Sequence, residues 1–495
     1  MSVLLGLDVG TGGTRAVAVD ESGEMVAEAS SEYPIHSPRP GWTEQNPEDW
    51  WEGAREALGK VAVEVGEAGD EVVGLGLTGQ MHGSVFLDAS GEVIRPALLW
   101  NDQRTEAQCR EITDAVGEER LIQITGNPAL TGFQAPKILW LRDEEPENYS
   151  RVTRVLLPKD YVRLRLTGEY ATDVSDAAGT LLLDMKERDW SAEILAALEI
   201  PTDWMPAVFE GPERTGELDR GVAGELGLPT GIPVAAGGGD NAAAVGVGVI
   251  EAGLLSSSVG TSGVLFAASE DAFCHAVPGE YHLMGVTLSA GGSLQWWRDT
   301  TGAGYDELVE AASEIEPGAE GLIFLPYLSG ERTPHLDPRA RGAFFGLTAR
   351  HGVPHMTRAV MEGVVFSLKE SLEIMRRLDL PVEQMRVTGG GARSALWREL
   401  QADVYGVPIH RTTADEGPAH GAALLSGVAA GVYSDVAEAC STVRLREEIT
   451  EPDAHRTRIY EEHYEVYRSL YPATREAMHR LAELAAGSTD GTEPG

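Results

Sequence analysis

A chain of 495 residues, 42% hydrophobic and 24% charged, is long enough for two to four domains with sizeable cores. Its 78 acids against 39 bases give a formal charge of −39, a field that repels nucleic acid and anionic membranes and excludes both as partners. No apolar run approaches a membrane span, and the N-terminus opens almost at once on a strand and not on a secretory leader, so a cytoplasmic protein is expected.

In chain order, Val3 to Asp20 reads as strand, glycine turn, strand, with Asp8 ending the first strand beside Gly10-Thr11-Gly12-Gly13. An aromatic loop at 40–51 leads into a helix at about 47–66, where Trp50, Trp51, Ala54, Ala57, Leu58 and Val61 recur at helical spacing. Residues 72–79 make a strand ending in Thr-Gly, and 79–83 a glycine-flanked loop that holds Met81 and His82. Residues 84–95 suggest a hairpin with Ser90-Gly91 at its tip. Val152 to Asp160 begins as a strand and ends in a turn. Ile232 to Ala236 is a buried strand ending in three glycines, followed by Asp240, Asn241 and a small-residue segment able to wind as a helix. A second strand-turn-strand spans 254–268, and a later strand, 385–389, again ends in Thr-Gly. Helices follow at 354–378, at 394–405 after the glycine-rich turn Gly389 to Ser394, and at about 454–485, where Tyr460, Tyr464, Tyr467 and Leu470 share one side. Residues 487–495 have the composition of a disordered tail.

Val9-Gly10-Thr11 recurs as Val259-Gly260-Thr261, an offset of 250 residues. That period is too long for a solenoid. It predicts two related domains, each opening on a hairpin that presents backbone N–H groups and a threonine hydroxyl, the parts of a polyphosphate clamp. No Pro/Ser-rich linker parts the halves, so the boundary reads as a hinge. The domains are placed at 1–245 and 246–486, with a tail at 487–495. Glycines before Asp240 let a ligand or backbone approach closely. An acid there, at a strand end and a helix start, suits an enzyme that must hold an attacking hydroxyl for phosphoryl transfer; taken alone, it also reads as a helix N-cap. The glycines at 389–391 lack the Lys-Ser/Thr of a Walker loop, which excludes a P-loop kinase. The histidines show no paired ligand spacing, so no zinc is expected, and Cys109, Cys274 and Cys440 lie too far apart for a disulfide frame.

Several of these stretches coincide with motifs of one family. They are Gly6-Leu-Asp-Val-Gly-Thr11, Gly41-Trp-Thr-Glu-Gln-Asn-Pro47 with Trp50-Trp51, Gly79-Gln-Met-His-Gly83, Leu99-Trp-Asn-Asp102, Leu156-Leu-Pro-Lys-Asp-Tyr161 and Ser175-Asp-Ala-Ala-Gly-Thr180. The second half adds Gly237-Gly-Gly-Asp-Asn241, Tyr327-Leu-Ser-Gly-Glu-Arg-Thr-Pro-His335 and Gly389-Gly-Gly-Ala-Arg-Ser394. From residue 3 to about 475 the chain resembles the FGGY carbohydrate kinases, and Gly79–Gly83 resembles the loop of those members that phosphorylate xylulose.

The resemblance implies an α/β fold of two actin-like (ribonuclease H-like) ATPase domains with a catalytic cleft between them. It implies ATP-dependent phosphorylation of D-xylulose to D-xylulose 5-phosphate, with ATP and Mg²⁺ as the nucleotide and metal. Asp240 is then the general base and Asn241 a hydroxyl-binding neighbour. Asp8 is assigned to Mg²⁺, through water. Thr11, Gly12 and Thr14, with Arg15 nearby, are expected at the β- and γ-phosphates, and Gly260 and Thr261 opposite them. Gly390, Gly391 and Ser394 are expected at the adenosine. Met81, His82, Trp100, Asn101 and Asp102 are expected to face a small pentulose. A homodimer is left open as the assembly. The other readings are an FGGY kinase for ribulose, gluconate or a polyol, and a non-catalytic sugar sensor or chaperone-like ATPase on the same fold. Retention of Asp8, Asp240 and both hairpins argues against a dead sensor, and the lack of a substrate-peptide domain against a chaperone.

Only five lysines (60, 137, 159, 186 and 369) accompany 34 arginines, and acids cluster in runs such as Asp143-Glu-Glu-Pro-Glu147. This is read as a solvated acidic surface of halophilic type, with self-repulsion removed by salt; an ordinary acidic enzyme is the alternative.

Overall fold

The computed structural model describes residues 1–239, 242–270, 272–413 and 417–487. Apolar runs with interspersed glycines lay down the first sheet, and an amphipathic helix covers it. In chain order the elements used below are β1 (Ser2–Val9), β2 (Gly13–Asp20), β3 (Met25–Glu32), α1 (Pro47–Ala68), β4 (Glu71–Gly79), α2 (Gln134–Glu144), α3 (Pro158–Thr167), α4 (Val174–Ala177), β5 (Arg214–Glu217), β6 (Pro233–Ala235) and α5 (Ala242–Gly246). Then come β7 (Gly253–Val259), β8 (Gly263–Ser269), β9 (Tyr281–Thr287), α6 (Val353–Arg377), β10 (Val382–Thr388), α7 (Ala395–Tyr405), β11 (Ile409–Arg411), α8 (Gly417–Ala429) and α9 (Ala454–Gly487).

The first sheet has the order β5-β6-β4-β1-β2-β3. β1 runs antiparallel to β2 and parallel to β4, in a register that sets Asp8 opposite Arg15 and beside Thr78. α1 starts where Asn46 caps the amide of Glu48 and Pro47 presets the first turn; it stops at the left-handed Gly69. Its buried stripe of Trp50, Trp51, Ala54, Ala57, Leu58 and Val61 joins Leu5, Leu7, Ala16 and Ala18 in one core. α8 crosses β1 and β4 backbone to backbone. A Cβ on Gly6 would lie 1.9 Å from the carbonyl oxygen of Ala419, and one on Gly76 1.9 Å from that of Ala422, so only glycine permits this approach.

The repeat is structural. In the second sheet β9-β8-β7-β10-β11 are successive neighbours, with β7 antiparallel to β8 and parallel to β10. The first hairpin loop spans 10–13, since Val9 pairs with Thr14; the second spans 260–262, since Val259 pairs with Gly263. Two hairpins followed by a parallel strand thus share a plan but differ by one residue at the tip. The second core gathers Leu255, Val259, Leu265, Val364, Leu368, Met385, Tyr460, Tyr464 and Tyr467 around α6, α7 and α9.

By compactness the chain forms two units. One comprises Met1–Ile250, Ser269–His282 and Glu416–Arg444, and the other Glu251–Ala268, Leu283–Asp415 and Leu445–Gly495. The halves 1–245 and 246–486 read from sequence are contiguous, whereas the first compact unit includes α8, because its glycine-rich seam seats it on β1 and β4. Two local readings change. Pro158-Lys159-Asp160 is not a turn after a strand but the first turn of α3, which follows the short strand Arg154–Leu156. The 84–95 hairpin is short: Val85–Leu87 pairs mainly with Arg154–Leu156, and Gly91 closes a turn back to Asp88. Residues 488–495, most of the expected tail, lie outside the described residues.

Candidate functional site

The carboxyl ends of β1 and β4 meet at Asp8, Thr78 and Gly79, the end of a parallel sheet where α/β folds place their ligands. The hairpin loop beyond Asp8 is not a loose turn. Tyr33 donates its hydroxyl to the Gly10 carbonyl at 2.6 Å. Gln45 donates to the Thr11 carbonyl at 2.7 Å and accepts from the indole of Trp50 at 3.0 Å and from Gln80 at 3.1 Å. The Thr11 hydroxyl donates to Gln80 at 3.3 Å and accepts from Trp100 at 3.0 Å. Gly12 stands exposed at the tip. Burial, with a smaller contribution from Asp8, pushes the Tyr33 phenol upward, so it stays protonated and able to donate. Gln45 and Gln80 lie in the 41–47 and 79–83 motifs, yet nothing in their spacing revealed that both bend back on the hairpin.

The loop after β4 carries the next group. His82 has φ 68°, a left-handed conformation uncommon outside glycine. Lys137 of α2 holds it, donating to the carbonyls of His82 at 2.7 Å and Gly132 at 2.6 Å. Burial lowers the Lys137 ammonium to about 7. The His82 ring sits edge-on to Phe133, with Nδ1 2.5 Å from the Gly179 carbonyl. A carbonyl only accepts, so the Nδ1 that faces it carries a proton. Met81 packs into the space left by two glycines: a Cβ on Gly239 would lie 2.8 Å from its Cγ, and one on Gly179 3.0 Å from its Cε. Gly239 is the residue before Asp240 in the chain. Asp240 and Asn241 themselves lie outside the described residues.

Not every expected residue points at a substrate. Trp100 spends its indole N–H on Thr11 and so braces the hairpin. Asp102 is fully buried; it accepts from the Thr43 amide at 2.6 Å and pairs with Arg104 at 2.7 Å, so its carboxylate is already engaged within the protein. The intervening Asn101 keeps a buried Oδ1 with no hydrogen-bond partner among the described residues, an acceptor suited to a sugar hydroxyl. Thr14 is buried and donates to Tyr33 at 3.3 Å, and Arg15 pairs with Glu28 on β3.

In the second unit, Gly260 and Thr261 give their carbonyls to the amides of Gly291, Ala290 and Gly292 at 2.7, 2.9 and 3.0 Å. Gly389 has φ 75° and, with Gly390 and Gly391, packs against Val259 at the end of β7; a Cβ on Gly391 would lie 2.7 Å from that of Val259. Ser394 then caps α7, accepting from Trp397 at 3.5 Å. The structure thus brings 260–261 and 389–394 together at the carboxyl ends of β7 and β10. Among the described residues no group of three or more His, Cys, Asp or Glu side chains forms a metal cage. A single half-buried carboxylate, Asp8, beside a loop with an exposed glycine tip fits Mg²⁺, which keeps several waters and takes few protein ligands when phosphates supply the rest. No helix among the described residues is long and apolar enough to cross a membrane.

The whole chain has known counterparts. Residues 3–246 match the N-terminal domain, and residues 255–430 the C-terminal domain, of the FGGY family of carbohydrate kinases. The chain is 44% identical over 480 residues to the xylulose kinase of Escherichia coli (strain K12), an alignment covering 94% of this chain and 98% of that one. It is 41% identical over 500 residues to the xylulose kinase of Lactococcus lactis subsp. lactis (strain IL1403), covering 98% and 99%. Of the solved structures, ligand-bound xylulose kinase from Lactobacillus acidophilus gives a TM-score of 0.91 at 26% identity, covering 97% of this chain and all of that one.

Proposed function

The chain belongs to the FGGY family of carbohydrate kinases, and on that footing we propose that it transfers the γ-phosphoryl group of ATP to the terminal hydroxyl of D-xylulose, giving D-xylulose 5-phosphate and ADP. The observation that carries the substrate is the Met81-His82 loop. It is fixed in a left-handed turn by Lys137 and seated on Gly179 and Gly239, within one residue of the candidate base in sequence. Asn101 Oδ1 is assigned to accept from a sugar hydroxyl, the His82 ring to border the sugar, and Met81 to supply an apolar wall.

Asp240 is assigned to the acceptor: it orients the attacking hydroxyl and takes its proton as the oxygen bonds to the γ-phosphorus and the bond to ADP breaks. In a loose transition state, holding the nucleophile in line outweighs basicity. Asp8 is assigned to the metal, whose chemistry when bound is to neutralise charge on the transferring phosphate. The braced loop 10–13 and its counterpart 260–262 present backbone to phosphates, and Gly389–Ser394 is assigned to the adenosine. Trp100 and Asp102 are assigned to building the site.

The experiment is kcat/KM for D-xylulose, D- and L-ribulose, glycerol and gluconate, with wild type and His82→Ala side by side. A site that hydrogen-bonds one hydroxyl discriminates against its epimer by roughly 1–3 kcal/mol, or about ten- to a hundredfold. D-xylulose should lead in wild type, and His82→Ala should lose most of the preference. Leadership by gluconate, ribulose or glycerol overturns the substrate while leaving the family intact. Undiminished preference in His82→Ala removes His82 from the sugar site.

A further inference from the structure

The start of α2 meets the Met81-His82 loop at three side chains, and no step of the transfer uses them. Phe133 precedes α2, and Gln134 and Lys137 lie in its first turn. The Phe133 ring stands edge-on to the His82 ring, with centroids 5.0 Å apart. Gln134 donates to the carbonyls of Gly83 at 3.1 Å and Leu156 at 3.2 Å. Lys137 donates to the His82 carbonyl at 2.7 Å, and its other bond, at 2.6 Å, goes to Gly132 just before Phe133. All three side chains are at most 1% exposed. Positions 134 and 137 are neighbours on the helix surface, so one face of α2 takes two consecutive carbonyls of the loop.

The ammonium is the informative member. Both of its acceptors are neutral carbonyls, and the nearby Asp102 carboxylate is already taken by Arg104 and the Thr43 amide. A buried ammonium held by carbonyls is a costly way to fill a core, and an apolar side chain would fill the same space at less cost. What Lys137 supplies is a fixed place for one residue. It binds the carbonyl of His82, the residue at which the loop turns left-handed. The His82 ring is thereby located by three contacts: its backbone by Lys137, its ring by Phe133, and Nδ1 by the Gly179 carbonyl at 2.5 Å. The same turn also abuts the segment that carries Asn101, since a Cβ on Gly132 would lie 2.8 Å from the Trp100 carbonyl oxygen.

We infer that Phe133 and Lys137 are positioning residues that fix the His82 ring in place and so set the preference among sugars. This rests on the reading of Met81-His82 as the sugar loop. Neither residue is argued to touch substrate.

The test is kcat/KM for each sugar of the panel above in two variants. Lys137→Met keeps the length and loses the ammonium; Phe133→Leu keeps an apolar side chain and loses the ring. The sugar followed is the one that wild type prefers, so a wrong substrate shows in wild type and a wrong inference only in the variants. Each variant should lower kcat/KM for that sugar about tenfold and for the others less, with KM for MgATP within about twofold. A merely structural role would loosen the whole unit and raise KM for MgATP alongside that for the sugar. Each change is then repeated in His82→Ala. Acting through the His82 ring, both should cost less than about twofold further there. Wild-type preference in both variants, equal losses in the His82→Ala background, or a matching rise in KM for MgATP overturns the inference with the sugar loop intact. Undiminished preference in His82→Ala itself overturns the sugar-loop reading and the inference together. If Lys137→Met does not fold, Phe133→Leu decides alone.

Discussion

Gln45→Ala tests the claim that the hairpin loop is built and not merely turned. The Gln45 side chain is fully buried and uses its whole amide: Nε2 donates to the carbonyls of Thr11 at 2.7 Å and Pro34 at 3.2 Å, and Oε1 accepts from Trp50 at 3.0 Å and Gln80 at 3.1 Å. A buried polar group left unpaired costs about 1–3 kcal/mol. Of the four groups released, Gln80 retains a contact to the Gly10 carbonyl at 3.4 Å, and Pro34 lies in the exposed strand-to-helix connection where water can replace the amide. The Trp50 indole and the Thr11 carbonyl do not recover so easily, giving a loss of about 3 kcal/mol. At about 2–4 °C per kcal/mol for a unit of this size, thermal unfolding followed by circular dichroism should fall by about 6–12 °C. The loop that carries Thr11 loosens with it, so KM for MgATP should rise by about tenfold, equivalent to about 1.4 kcal/mol. Gln45→Glu keeps the acceptor for Trp50 but cannot donate to Thr11, and should show the same KM defect with a smaller fall in melting. A melting temperature within about 2 °C of wild type together with an unchanged KM in Gln45→Ala would refute the bracing argument.

Asp8→Asn should raise the Mg²⁺ concentration for half-maximal rate by about 10- to 100-fold, as expected for a ligand acting through metal-bound water; an unchanged titration curve and rate remove Asp8 from the metal. In the second unit, burial and the neighbouring Glu331 raise the Glu370 carboxyl to about 8, and burial raises Glu331 to about 7. Both folded values lie above the unfolded one, so their contribution is fully present below about pH 4.5 and is lost as pH rises towards 8, at up to about 1.4 kcal/mol per pH unit for each group. Glu370→Gln should therefore lessen the fall in melting temperature between pH 6 and pH 8, and an identical fall in the variant would show that Glu370 is ionised throughout. With a formal charge of −39, melting should rise from dilute buffer to molar KCl, as the Debye length shrinks from about 30 Å at 0.01 M to about 3 Å at 1 M. A flat or falling profile refutes the reading of the acidic surface as an adaptation to salt.

What the sequence by itself determined was local and repetitive. Strand, glycine turn and strand were legible twice because apolar runs and the Val-Gly-Thr repeat are properties of adjacent residues, and the Trp50-to-Val61 stripe fixed α1 through its own periodicity. The family motifs named Asp8, Asp240, Met81 and His82 as chemistry. Tertiary structure decided which polar side chains are already engaged by the protein, because hydrogen-bond partners are chosen in space. Trp100 and Asp102 stood in a motif with Asn101, yet their hydrogen bonds go to Thr11, Thr43 and Arg104, and of the three Asn101 alone keeps a buried oxygen with no partner among the described residues. Gln45 and Gln80 are 35 residues apart and meet only because β1, β4 and the 44–45 segment converge. The placement of α8 on the first sheet was equally beyond sequence pattern. Nothing in the local sequence of Gly6 and Gly76 marks them as the seat of a helix more than 300 residues away, whose backbone lies where their side chains would be.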